Sequence, residues 1–67
     1  MDNNPVFIRD EIESALRYFG PLQVSEIRAK LAMRNVLVSD IEIRRALDIM
    51  EYAKRAKPCD IKGYWKV

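Results

Sequence analysis

Apolar positions along the chain fall into three stretches of helical period, separated by breaks and followed by a short alternating tail. Ile8, Ile12, Ala15, Leu16 and Phe19 recur at intervals of four, three, one and three residues. At about 100° per residue that spacing gathers them on one face of a helix. Asn4 before Pro5 supplies an N-cap ahead of a proline at the first helical position, where its missing N–H costs nothing. Gly20-Pro21 ends the helix, because Gly suits a left-handed cap and Pro cannot continue it. Leu22-Gln23-Val24 alternates apolar, polar, apolar and predicts a single short strand. Ser25 is then the expected N-cap of a second helix, which runs to Met33 or Arg34 with Ile27 and Leu31 on its inner edge.

Residues 35–38, Asn-Val-Leu-Val, make a poor helix interior and predict a partly buried loop. Ser39-Asp40-Ile41-Glu42 has the form of a capping box, and Val38 and Ile43 occupy the two positions of a hydrophobic staple. A third helix follows from Asp40 to Ala53, with Ile43, Ala46, Leu47 and Met50 inward. Arg55–Pro58 and Tyr64–Val67 are short candidate strands joined by Cys59-Asp60-Ile61-Lys62-Gly63, a terminal hairpin in which Gly63 takes a positive φ. No repeat, low-complexity run or linker interrupts residues 1–67. The expected architecture is one domain, α+β and mainly α.

Composition narrows this picture. With 67 residues, 49% hydrophobic and 33% charged, the chain is long enough for one modest core and too apolar for a disordered tail. One Cys cannot close an internal disulfide, so either the chain lives in a reducing compartment or Cys59 pairs between chains, the rarer case; the cytoplasm is expected. The N-terminus has no basic region followed by an apolar run, which predicts neither a signal peptide nor a membrane span.

Net charge is only +2, but it is unevenly spread. Arg9 and Arg17 against Asp2, Asp10, Glu11 and Glu13 leave residues 1–20 at −2, and Arg28, Lys30 and Arg34 against Glu26 leave residues 21–39 at +2. Residues 40–51 return to −2, whereas Lys54, Arg55, Lys57, Lys62 and Lys66 against Asp60 bring residues 52–67 to +4. One end of the molecule is basic.

The element order, carried by "LQVSEIRAKL", "VSDIEIRRALDIM" and "AKPCDIKGYWKV", resembles the winged helix-turn-helix family of DNA-binding domains over nearly the whole chain. Glu26, Ile27 and Leu31, then Ile43, Leu47 and Met50, fall where that family places packing residues. The sequence departs from the family in the connection from Ala32 to Ser39, which is longer than a tight helix-turn-helix and lacks its glycine. The resemblance implies a three-helix fold with a C-terminal β-hairpin wing, a third helix in the major groove and a wing near the DNA backbone.

The residues give this expectation candidates and rivals. The outward face of the third helix carries Ile41, Arg45, Asp48 and Tyr52, with Arg44 on its flank. Arg44 and Arg45 suit phosphate and guanine, or else pair with Asp40, Asp48 or Glu51 along the helix. Lys57, Lys62 and Lys66 suit phosphates on a projecting hairpin, or a solvated edge guarded by lysine. Lys54 and Arg55 join that basic end and also complement the helix dipole. Trp65 and Val67 are expected to close the core with Ala56, a base-stacking role for Trp65 being the alternative, while Tyr64 lies near the surface. Val6, Phe7 and Tyr18 form a flanking stripe suited to a dimer contact or a satellite core. Asp10 and Glu13 read as a solvated pair, and Cys59 as an inert exposed thiol.

Catalysis finds no support. The chain has no His, one Cys and two Gly, which provides no imidazole base, zinc site or glycine-rich phosphate loop. No cofactor, metal or small-molecule substrate is expected, and no membrane. The expected function is a small DNA-binding transcriptional regulator of bacterial, phage or plasmid type. It would act on double-stranded DNA through Arg44, Arg45, Asp48, Lys54, Arg55, Lys57, Lys62 and Lys66, as a homodimer or with a protein partner. A protein-interaction module on the same fold, built on Ile41, Ile49 and Tyr52, is the alternative.

Overall fold

A computed structural model describes residues 5–67; the proposed cap at Asn4 and the side chain of Val6 lie outside what it describes. The chain forms α1 (Pro5–Phe19), β1 (Leu22–Gln23), α2 (Val24–Ala32), α3 (Asp40–Tyr52), β2 (Lys57–Pro58) and β3 (Tyr64–Lys66). The strands make one antiparallel sheet in the order β1-β3-β2, with Leu22 and Pro58 both in register with Trp65, Gln23 with Tyr64, and Lys57 with Lys66. This is an α+β, mainly helical, winged-helix-like arrangement.

Each helix contributes its apolar stripe to one core. Ile12, Leu16, Ile27, Leu31, Ile43, Leu47 and Met50 are fully buried, and Ile8, Ala15, Leu22, Val24, Val36, Val38, Ala46 and Ala56 complete the same cluster. Trp65 packs against that cluster from β3, as expected, and its cross-strand partner Leu22 is buried too. Pairing of β1 with β3 therefore ties the start of α2 to the wing.

Several local expectations are corrected. The N-cap of α2 is Gln23, not Ser25, and the Glu26 carboxylate accepts a hydrogen bond from the Gln23 N–H at 2.9 Å. Starting the helix at Val24 aligns Val24, Ile27 and Leu31 at helical spacing on the buried face, an apolar gain that outweighs the better capping chemistry of Ser25. Phe19 is half exposed: it lies at the last position of α1, beyond the core edge, with the Lys30 ammonium 4.3 Å from its ring centroid. Val67 is exposed as well, because β3 ends at Lys66. The strand expected from Arg55 is reduced to Lys57–Pro58, since the N–H groups of Arg55 and Ala56 both donate to the Met50 carbonyl, at 2.7 and 3.3 Å.

Those last bonds belong to a pattern that recurs. After α2, Asn35 takes φ 64°, and its N–H and that of Val36 donate to the carbonyls of Ala32 and Leu31. After α3, Lys54 takes φ 62°, and its N–H and that of Arg55 donate to Glu51 and Met50. Both are Schellman closures. Val36 and Leu31, the hydrophobic pair of the first, are both in the core. Gly20 and Gly63 occupy the remaining positive-φ positions. At Gly63 this permits a tight turn in which the Tyr64 N–H reaches the Ile61 carbonyl at 3.1 Å.

Candidate nucleic-acid interface

The direction of α3 is set at its first turn. The Ser39 hydroxyl accepts from the Glu42 N–H at 3.2 Å, and the Glu42 carboxylate accepts from the Ser39 N–H at 3.0 Å. Val38 and Ile43 on either side are buried, which completes the staple. With Ile43, Ala46, Leu47 and Met50 inward, the opposite face presents Ile41, Arg45, Asp48 and Tyr52, and Arg44 is exposed beside them. Ile41 is 65% and Tyr52 92% exposed, so this face is not covered within the molecule.

Two of the four acids of α3, those at its N-terminal end, are engaged, while Asp48 and Glu51 meet no cation among the described residues. Glu42 is held in the capping box, and Asp40 faces the Arg28 guanidinium of α2 at 3.4 Å. Both also lie in the first turn, where the helix dipole favours negative charge. Among the described residues, neither Arg44 nor Arg45 forms an ion pair; the expected alternatives Asp40, Asp48 and Glu51 do not hold them.

The same separation extends through the domain. Arg17, Arg28, Arg34 and Arg55 each meet a carboxylate, whereas Arg9 on α1, Lys30 on α2 and, on α3 and the wing, Arg44, Arg45, Lys54, Lys57, Lys62 and Lys66 meet none among the described residues. The acids of α1 are spent in this way: Glu11 on Arg34 at 2.6 Å, Asp10 on Arg55 at 3.0 Å, and Glu13 on both Arg17 and Arg55. Cations on α3 and the wing are left facing solvent.

Arg55 therefore differs from its neighbours. Its guanidinium crosses from the end of α3 to α1 and donates to Asp10 and Glu13, which are not the solvated pair their spacing suggested. We assign it to holding the wing base against α1. Hydrogen bonds from Arg55 first, and then Arg17, keep the Glu13 carboxyl below its ordinary range. A carboxyl whose folded-state value is depressed contributes stability that is complete above the unfolded value and is lost as pH falls through the folded one. This tether thus holds at neutral pH and weakens in acid.

Lys57 and Lys66 lie directly opposite each other across β2 and β3. Alternation along β3 places Lys66 and Tyr64 on the sheet face opposite Trp65, so the lysine pair faces away from the core. Like charges placed so are destabilising. Lys62 sits next to Gly63 at the exposed tip of the hairpin. Cys59, expected to be exposed, is half-buried and free, with its N–H bonded to the Tyr64 carbonyl at 2.8 Å.

Lys54 also carries a backbone cost, because an L-residue in the left-handed region sits about 1–2 kcal/mol above its helical conformation. Lys54→Gly is expected to raise stability by about 1 kcal/mol after the entropy of glycine is subtracted. Thermal unfolding followed by circular dichroism should show the midpoint rising by about 4–8 °C.

Comparison with protein-family models, curated proteins and solved structures finds no match for this chain. No helix among the described residues is long and apolar enough to cross a membrane. Among the same residues no group of three or more Cys, Asp or Glu is placed to hold a metal ion.

Proposed function

We propose that this domain binds double-stranded DNA, with the outer face of α3 in the major groove and the wing lysines on the adjoining backbone. The observation that carries the reading is the clustering of unpaired cations: of the eight that meet no carboxylate among the described residues, six, Arg44, Arg45, Lys54, Lys57, Lys62 and Lys66, share α3 and the wing, while the described acids of α1 are bound by arginines. On this reading Arg45, with Arg44 beside it, contacts base edges, guanine being the geometry-matched partner of a guanidinium. Asp48 stands on the same face and disfavours phosphate, which restricts α3 to base edges rather than backbone. Lys54, Lys57, Lys62 and Lys66 neutralise phosphates. The role is that of a small transcriptional regulator in a reducing compartment such as the cytoplasm.

Titration of a labelled mixed-sequence duplex at a series of salt concentrations tests this. If the four lysines each displace a counterion, log affinity falls against log salt with a slope of about −3 to −4. No binding at low salt, or binding indifferent to salt, sinks the proposal. A second reading, a protein partner on α3, is favoured by the exposure of Ile41 and Tyr52 on that same face. It predicts binding that depends on those two side chains and not on Arg44 and Arg45.

A further inference from the structure

A groove of about 440 Å³, with no α3 residue in its lining, runs between the C-terminal parts of α1 and α2. Its walls are large apolar side chains left in solvent: Tyr18 is 83% and Met33 78% exposed, and Phe19 is half exposed. Tyr18 and Phe19 stack edge to face, with ring centroids 4.8 Å apart and planes at 84°. Of the ten large apolar side chains exposed among the described residues, Tyr18, Phe19 and Met33 converge on this one groove.

The rim carries charge of one effective sign. Lys30 lies over the Phe19 ring, and Arg34 closes on Glu11 at 2.6 Å. In that pair the Glu11 side chain is only 12% exposed while Arg34 is 69% exposed, so solvent meets the guanidinium and not the carboxylate. Lys30 also sits in the last turn of α2, where the dipole favours it. That accounts for the cation but not for the uncovered Tyr18 and Met33 beside it.

We propose that this groove docks an acidic amphipathic segment of another protein, its apolar anchors against Tyr18, Phe19 and Met33 and its carboxylates toward Lys30 and Arg34. Helix-in-groove binding uses such an arrangement, and methionine suits adaptable contact surfaces. A second copy of this chain fits less well, because a two-fold contact sets Lys30 and Arg34 of both copies on one seam. Phosphate backbone gains nothing from the apolar walls. The groove shares no residue with α3 or the wing, so the inference stands or falls separately from DNA binding.

Selection of random linear peptides displayed on phage against the whole chain tests it, with the enriched peptides then titrated into isotope-labelled protein. The expected peptides carry large apolar residues at helical spacing and an excess of Asp and Glu, and they shift amides of residues 14–19 and 30–34. Met33→Glu and Lys30→Glu, each checked for an intact fold by circular dichroism, should weaken them about tenfold or more by removing an anchor or reversing a rim charge. DNA affinity should change little in the Met33 variant. Four outcomes overturn the proposal: no enrichment, peptides without acidic excess, shifts mapping elsewhere, or a dimer in sedimentation velocity that Met33→Glu dissociates, which would make the occupant a second copy.

Discussion

Charge reversal of Arg44 and Arg45 together, Arg44→Glu with Arg45→Glu, is expected to lower affinity for duplex DNA by about 100-fold or more while leaving the fold in place. A bidentate arginine contact in the major groove contributes about 1–3 kcal/mol of discrimination, and each tenfold in affinity corresponds to about 1.4 kcal/mol. Reversal adds repulsion from phosphates to that loss. The fold survives because both side chains are exposed and neither holds an ion-pair partner among the described residues. Anisotropy titration of the double variant and of the unaltered chain on the same duplex supplies the comparison. A protein partner gripping Ile41 and Tyr52 would tolerate the change, so the same variant separates the two readings of α3.

Leu47→Ala is expected to leave the domain at or beyond the edge of folding. Leu47 is fully buried within the single core of the domain. Truncating such a leucine costs about 2–5 kcal/mol, and a core of this size rarely supplies more than about 3–5 kcal/mol in total. The variant should lose its cooperative thermal transition or melt near room temperature by circular dichroism. Leu47→Met, which keeps volume, should cost under about 1.5 kcal/mol and retain the transition. If Leu47→Ala melted like the unaltered chain, the single-core account would be wrong.

Legibility in the sequence followed the range of the interaction. The start of α3 was readable because Ser39, Glu42, Val38 and Ile43 lie within six positions and each has a residue type suited to its role. Helix stripes were readable for the same reason, except at their ends. Phe19 and Val67 continue a pattern one step past the edge of the core, and periodicity does not say where the core stops. The closure at Lys54 left no trace in composition, since lysine does not announce a positive φ as Gly20 and Gly63 do.

Of the candidate site, the basic wing and the outward residues of α3 followed from charge blocks and the helical wheel. The role of Arg55 did not. It meets Asp10 and Glu13 across 45 and 42 residues, a contact made only when the end of α3 is folded against α1. Asp10 and Glu13 one turn apart were the available signal, a carboxylate pair with a vacancy for a second guanidinium beside Arg17. The groove at Tyr18 and Met33 depended likewise on the packing of α1 and α2.

If the unpaired cations on α3 and the wing form one DNA-facing surface, the contact is visible residue by residue. Nuclear magnetic resonance titration of the isotope-labelled chain with duplex DNA at low salt addresses it directly. Amide shifts are expected to concentrate in residues 40–48 and 57–66 and to recede as salt is added, with residues 14–19 and 30–34 unmoved. Shifts confined to α1 and α2, or a spectrum unchanged by DNA, would contradict this.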